Sequence, residues 1–75
     1  MTRDEHLQWS KDRALDYLNR GKVADAMTSF MSDATKGPEP IDWSEGAYMV
    51  LSQLGMMHAI ANNSTEMRRW IEGFN

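Results

Sequence analysis

The chain contains no cysteine, which excludes disulfide bonds and thiolate metal sites and is compatible with an intracellular, reducing setting. Its folded state must therefore rely on the packing of side chains. With only 75 residues, the chain is near the size at which burial barely offsets the loss of conformational entropy. We expect one domain spanning residues 1–75, with modest stability.

Long apolar runs and an excess of positive charge are also missing. No stretch is long and apolar enough to cross a bilayer, and the opening residues Thr2 to His6 are polar, unlike a secretion signal. The formal net charge is -3, which disfavours generic attraction to the phosphate backbone of nucleic acids. We therefore expect a cytoplasmic protein with no membrane partner, and nucleic acid is an unfavoured partner.

Proline is rare, and the only two prolines, Pro38 and Pro40, form the one strong break in the chain. Before this break, apolar residues at helical spacing predict helix one from Arg3 to Arg20 and helix two from Val23 to about Lys36. The short link between these helices, at Gly21 and Lys22, predicts that they lie antiparallel.

Capping-box spacings mark two of the helix starts. Thr2 and Glu5 have the residue types and the separation of a capping box that begins helix one. Asp42 and Glu45 repeat that spacing and predict the start of helix three, which extends to Ala61. Gly46 and Gly55 within helix three suggest a close helix approach or a local bend.

A short final helix follows, capped by Asn63 or Ser64. One face of this helix carries Met67, Trp70, Ile71 and Phe74. The pattern as a whole predicts an all-α, compact four-helix domain. Its expected core includes Leu18, Ala26, Phe30 and Ile71.

The first two predicted helices contain glycine, alanine and proline at a recognisable spacing. Gly21 follows helix one, Ala26 lies where two helices must approach closely, and Pro38 follows helix two. This pattern resembles a tetratricopeptide hairpin in the N-terminal half of the chain, and it occurs once, so a repeat array is excluded. The large residue of that pattern comes one place late, because Ser29 occupies its usual position and Phe30 follows.

A second resemblance involves both ends of the chain. The segments that carry it are Glu5-His6-Leu7-Gln8-Trp9, Arg13-Ala14-Leu15, Tyr17-Leu18, Ser32-Asp33 and Arg68-Arg69-Trp70-Ile71-Glu72-Gly73-Phe74-Asn75. Together they resemble a family of small proteins encoded by tailed bacteriophages, especially those of actinobacterial hosts. The resemblance implies a phage setting and a small helical fold, and it carries over no catalytic residues.

The only histidines, His6 and His58, are the candidates for metal binding or acid–base chemistry. His6 follows Asp4 and Glu5 in a first helical turn, where carboxylates interact favourably with the helix dipole. His58 lies in an apolar helix and is interpreted as a hydrogen-bonded, partly buried side chain. We therefore predict a non-enzymatic protein with no catalytic residue, no metal and no cofactor.

The candidate partner-binding residues lie on helix three, with one more on helix one. Tyr48, Met49, Met56 and Met57 make helix three apolar around much of its circumference, and methionine suits adaptable contact surfaces. The alternative is that helix three is the central helix of the bundle and is covered on several sides. Trp9 projects away from the apolar stripe of helix one and is the second candidate surface.

The other two tryptophans have structural interpretations. Trp70 is expected in the core, since it shares a helix face with other apolar residues. Trp43 follows the predicted capping residue Asp42 and is expected to pack back on Ile41 as a hydrophobic staple.

Three functional classes stay open from the sequence. The favoured one is a protein-interaction module that binds a host or phage protein. The alternatives are a homo-oligomeric component, such as a homodimer, and a nucleic-acid-associated regulator. A regulator would use basic residues such as Arg68 and Arg69. The competing interpretation is a solvated face with local ion pairs such as Arg13 with Asp16.

Overall fold

Four helices follow one another in the computed structural model, which describes residues 1–75. They are α1 (Arg3–Asn19), α2 (Val23–Ala34), α3 (Gly46–Ile60) and α4 (Ser64–Glu72). The prediction of an all-α, four-helix domain is confirmed. The Cα radius of gyration is 11.4 Å, close to the value of about 11 Å expected for a folded chain of this length. None of the four helices has the length and apolar character needed to cross a membrane.

The start and end of α1 form as the sequence predicts. The hydroxyl of Thr2 accepts a hydrogen bond from the backbone amide of Glu5 at 3.2 Å, and the Glu5 carboxylate accepts one from the Thr2 amide at 2.9 Å. The predicted capping box is therefore confirmed. After the helix, Gly21 has a φ of +77°, a left-handed conformation that suits glycine because it lacks Cβ.

The connection between α2 and α3 is longer than predicted, because α2 ends at Ala34 and α3 begins at Gly46. The predicted capping box of Asp42 and Glu45 is wrong. The Asp42 carboxylate instead accepts hydrogen bonds from the amide of Ser44 at 2.9 Å and from its hydroxyl at 2.5 Å. This local turn occupies the capping side chain, so the helix starts further along the chain.

Trp43 is partly buried and packs against the hydrophobic core, and it does not form a hydrophobic staple. Because Glu45 is the N-cap of α3, the staple position immediately before the cap is Ser44. The Trp43 indole N–H donates to the carbonyl of Met31 at 3.1 Å, and its ring stacks on that of Trp70 with 6.2 Å between centroids. The tryptophan thereby fastens the long connection to the body of the domain.

The core is formed mainly by α1, α2 and α4. Its fully or nearly fully buried apolar residues are Ala14, Leu18, Val23, Ala26, Met27, Phe30, Met67, Trp70, Ile71 and Phe74. At its centre the Phe30 ring lies 4.9 Å from that of Phe74 and 5.7 Å from that of Trp70. The predicted core positions Leu18, Ala26, Phe30 and Ile71, and the burial of Trp70, are confirmed.

The arrangement of the helices leaves α3 at one edge. Helix α1 packs along α2, and α4 packs against the other three helices, whereas α3 contacts α2 and α4 but not α1. The molecule is also thin, with principal dimensions of 31, 26 and 16 Å. One side of α3 therefore has no other helix over it.

Candidate functional site

One close contact with α4 fixes which side of α3 faces inward. Gly55 is the only fully buried residue of this helix. A Cβ atom at Gly55 would lie 2.6 Å from Cζ2 of Trp70, well inside van der Waals contact. The Trp70 indole N–H also donates to the backbone carbonyl of Leu51 at 2.8 Å. The prediction that Gly55 permits a close helix approach is confirmed, whereas Gly46 has open space around it.

The opposite side of α3 is exposed and apolar. Its large side chains are Met49 (45% exposed), Val50 (56%), Leu54 (41%), Met56 (55%), Met57 (61%) and Ile60 (80%). Gln53, also exposed, is the one polar residue among them. We call these seven residues the outer face of α3.

The outer face of α3 differs from an ordinary solvated helix surface because it carries no charge. No Asp, Glu, Lys or Arg occurs between Gly46 and Ile60. Exposed helix positions in small domains usually carry such residues, which keep the surface soluble. Since these six apolar side chains are between 41% and 80% exposed, their accessible area is on the order of 500 Å², comparable with the largest apolar patch of a typical monomer.

The structure brings together some of the sequence-predicted site residues and separates others. Met49, Met56 and Met57 all lie on the outer face of α3. Tyr48 does not, since it is half-buried and its ring contacts that of Trp43 edge-on with 6.1 Å between centroids. Trp9 lies on α1, a helix that makes no contact with α3.

Trp9 is a surface residue that is partly covered by neighbours on its own helix. Its side chain is 38% exposed. The guanidinium carbon of Arg13 lies 4.8 Å from its ring centroid, and the His6 ring lies 5.3 Å away. The cation–π contact with Arg13 therefore occupies part of the ring that a partner would contact.

The sequence analysis did not assign Leu54 and Ile60 to a surface, although Ile60 is the most exposed large apolar residue of the chain. The signal that could have found them is Gly55. With 3.6 residues per turn, an inward-facing glycine at this position directs the positions at 53, 57 and 60 away from the core. That inference requires knowing that Gly55 faces α4, and an isolated glycine does not show this.

A polar contact between α1 and α2 is the second distinctive feature. The Asp33 side chain is only 6% exposed, and its Oδ2 lies 3.3 Å from Nε of Arg13 without forming a hydrogen bond to any group of the protein. His6 Nε2 lies 2.8 Å from the Asp33 backbone carbonyl, and a protonated Nε2 donates to it. Asp33 therefore joins α1 to α2 through both its side chain and its backbone. The predicted pair of Arg13 with Asp16 is wrong, since Asp16 pairs with Arg20 at 2.6 Å.

The two histidines are separate. His6 is held by the end of α2, and its ring covers Gly37, whereas His58 is half-buried on α3. No group of three or more His, Cys, Asp or Glu side chains is close enough together to hold a metal ion.

Many of the basic side chains contact neighbouring groups of the domain. Arg69 pairs with Glu66 at 3.2 Å, and Arg68 donates to the side chain of Asn19 at 2.8 Å. Lys11 donates to the backbone carbonyls of Glu72 and Phe74 near the end of the chain. None of these residues lies on the outer face of α3.

Comparisons with protein families, with characterised proteins and with solved structures give no match to this chain. The functional argument is therefore built on the chemistry of the surfaces described above.

Proposed function

We propose that this protein is a small, non-enzymatic protein-interaction module whose docking surface is the outer face of α3. The observation that carries the proposal is the run of exposed apolar side chains on a helix without a single charge. Large exposed apolar patches on soluble domains mark sites of interaction, because leaving them in water costs free energy that a partner recovers by covering them.

The composition of this face favours a protein partner over a nucleic acid. Its methionines, at 49, 56 and 57, are flexible and polarisable, so they adapt to an apolar partner surface. Met49, Met56 and Ile60 follow the spacing by which a helix inserts one stripe into a groove. A nucleic-acid surface would instead need basic groups to displace counterions from the phosphates.

The proposal places the protein in the cytoplasm of a phage-infected bacterial host. This location is based on the resemblance of the terminal segments to phage proteins. Within the same proposal, α1 and α2 form a tetratricopeptide-like hairpin that supports α4, and α4 in turn holds α3 by its inner side. Three elements then serve as a scaffold, and the fourth presents the contact surface.

A charge placed on the outer face of α3 tests this proposal. We expect Met57→Lys to abolish capture of the partner from infected-cell lysate by the immobilised protein, since a lysine would be buried unpaired in the contact. The matched control is Ala24→Lys, which puts the same charge on an exposed position of α2. Captured proteins are identified by mass spectrometry for both variants and the wild type. Identical capture by Met57→Lys and the wild type would overturn the proposal.

A further inference from the structure

We propose that the partner of the outer face of α3 is a second copy of this chain, and that the two α3 helices pack antiparallel about a two-fold axis at Gln53. The inference rests on the proposed function, because it uses the same face. It goes further by naming the occupant and the register. Three properties of the face support it: its charge, the distribution of large and small residues along it, and its area.

The first property is that self-pairing of this face brings no like charges together. In a two-fold interface the same surface patch of both copies meets, so a face with charges of one sign would bring like charges together. The chain as a whole has a net charge of -3, yet α3 contains no Asp, Glu, Lys or Arg. The acidic side chains therefore lie outside α3, the helix on which their repulsion would oppose self-association.

The second property is a complementary distribution of side-chain size along the helix. Gln53 lies seven residues from each end of the helix Gly46–Ile60. An antiparallel pair centred there would place Ile60 over Gly46, Met49 over Met57, and Val50 over Met56. Ile60 is 80% exposed, and the Cβ position of Gly46 has no atom near it, so the most prominent side chain at one end meets the emptiest position at the other.

A parallel pair would lack this complementarity. It would set Ile60 against Ile60 at one end and Gly46 against Gly46 at the other, which crowds the first end and leaves a gap at the second. Close packing without gaps is what makes a helix interface specific. The antiparallel arrangement also places opposite ends of the two helix dipoles side by side.

Gln53 determines the register of the antiparallel pair. On a two-fold axis, each amide oxygen can accept a hydrogen bond from the amide nitrogen of the other copy, so both polar groups are satisfied. A shift along the helix would bury each amide against an apolar side chain without a partner. A single polar residue in an apolar helix seam is known to select register in this way, at a cost in stability.

The third property is the area, which corresponds to a weak dimer. A patch on the order of 500 Å² from each copy would bury about 1,000 Å² in total, near the lower limit for a specific interface. The shortest dimension of the molecule is 16 Å, and a second copy on α3 would give both uncovered helices a packing partner. We therefore expect a dimer that forms reversibly in the micromolar range or above.

Single cysteines test the register directly, because the chain has none of its own. Under mild oxidation, an equimolar mixture of Met49→Cys and Met57→Cys should give the mixed dimer, whereas Met49→Cys alone should give little. In the proposed arrangement its two copies lie about 12 Å apart along the helix axis, beyond disulfide reach. Efficient cross-linking of Met49→Cys with itself, or no mixed dimer from Met49→Cys and Met57→Cys together, would overturn the inference.

Sedimentation analysis from low micromolar to near-millimolar concentration provides the second test. We expect the wild type and Ala24→Lys to dimerise alike, and Met57→Lys to dimerise at least tenfold more weakly with an unchanged far-ultraviolet circular dichroism spectrum. A wild type that is monomeric throughout would overturn the inference. The proposed function would survive that result if partner capture still depended on Met57, so the two failures are distinguishable.

Discussion

Gly55 shows how one residue sets the orientation of a whole helix. Replacing it with alanine has two opposing effects. Alanine favours the helix by about 1 kcal/mol over glycine, but its Cβ would lie 2.6 Å from Cζ2 of Trp70. The Trp70 ring has little room to move, since it is hydrogen-bonded to Leu51 and contacts Phe30 and Phe74. Overpacking of this kind costs about 1–3 kcal/mol, so the steric effect should win.

We therefore expect Gly55→Ala to lower the free energy of unfolding by up to about 2 kcal/mol, the steric cost less the gain in helix propensity. Urea denaturation followed by circular dichroism measures this change. Gly46→Ala is the matched control, because the same substitution in the same helix meets open space and should leave stability unchanged or raise it by up to about 1 kcal/mol. Both are measured at low protein concentration, where self-association does not contribute. A Gly55→Ala variant at least as stable as the wild type would contradict this prediction, and it would mean that the Trp70 ring can move to accommodate the added methyl group.

At the scale of the helices, the ends of α1 and α3 show why one capping box was predicted correctly and the other was not. Thr2 and Glu5 form the two reciprocal hydrogen bonds of a capping box. Asp42 is followed by Ser44, whose amide and hydroxyl both donate to the same carboxylate oxygen. The spacing was equally good in both cases, and the neighbouring serine decided between a helix cap and a turn.

The Glu5 carboxylate provides a pH-dependent test of the α1 cap. The backbone amide of Thr2, and secondarily its hydroxyl, lower the pKa of Glu5 below its ordinary value. A carboxylate with a lowered folded-state pKa stabilises the protein above its unfolded-state pKa. That contribution is lost as the pH falls through the folded-state pKa. We expect an NMR titration of the folded protein to place the Glu5 midpoint below that of an unstructured glutamate.

The matched variant is Glu5→Gln, which keeps an oxygen that can accept the Thr2 hydrogen bond but does not titrate. Its α1 helicity should change less with pH than that of the wild type over the range in which Glu5 titrates in the wild type. A Glu5 midpoint at or above the ordinary value would show that the capping box is not formed in solution.

The helices also show how much of the fold and of the candidate site could be predicted from the sequence. Helical periodicity and the two prolines were enough to predict four helices in the right order, and the spacing of Leu18, Ala26, Phe30 and Ile71 identified core positions. The position of Trp43 was not predictable, because its ring packs on Phe30 of α2 and Trp70 of α4, which are distant in sequence. Tyr48 was assigned to the surface group with its neighbour Met49, whereas its ring turns toward Trp43.

At the scale of the whole molecule, the apolar helix α3 remains uncovered on one side because the chain is small and has only three other helices. Helix α4 packs against all three other helices and buries Met67, Trp70 and Ile71, whereas α3 has one buried residue, Gly55. The sequence showed that α3 is apolar around much of its circumference and left open whether other helices cover it. Tertiary packing decides that question, and here it leaves one side free.

The distribution of charge over the whole molecule leads to the last prediction, which concerns nucleic acid. The net charge is -3, and ion pairs engage Arg13 with Asp33, Arg20 with Asp16 and Arg69 with Glu66. A phosphate backbone would have to compete with these carboxylates for each guanidinium while also meeting an acidic protein. We therefore expect no retention of duplex DNA or single-stranded RNA in a gel-shift experiment at low salt.

The informative comparison is the double variant Arg68→Ala with Arg69→Ala, tested beside Met57→Lys. Retention that weakens with salt and is abolished in the arginine variant, but is unaffected by Met57→Lys, would overturn the interaction-module proposal. That result would place the functional surface on α4 and not on α3. Each arginine that binds a phosphate is recognised because its removal reduces the salt dependence of binding by about one counterion.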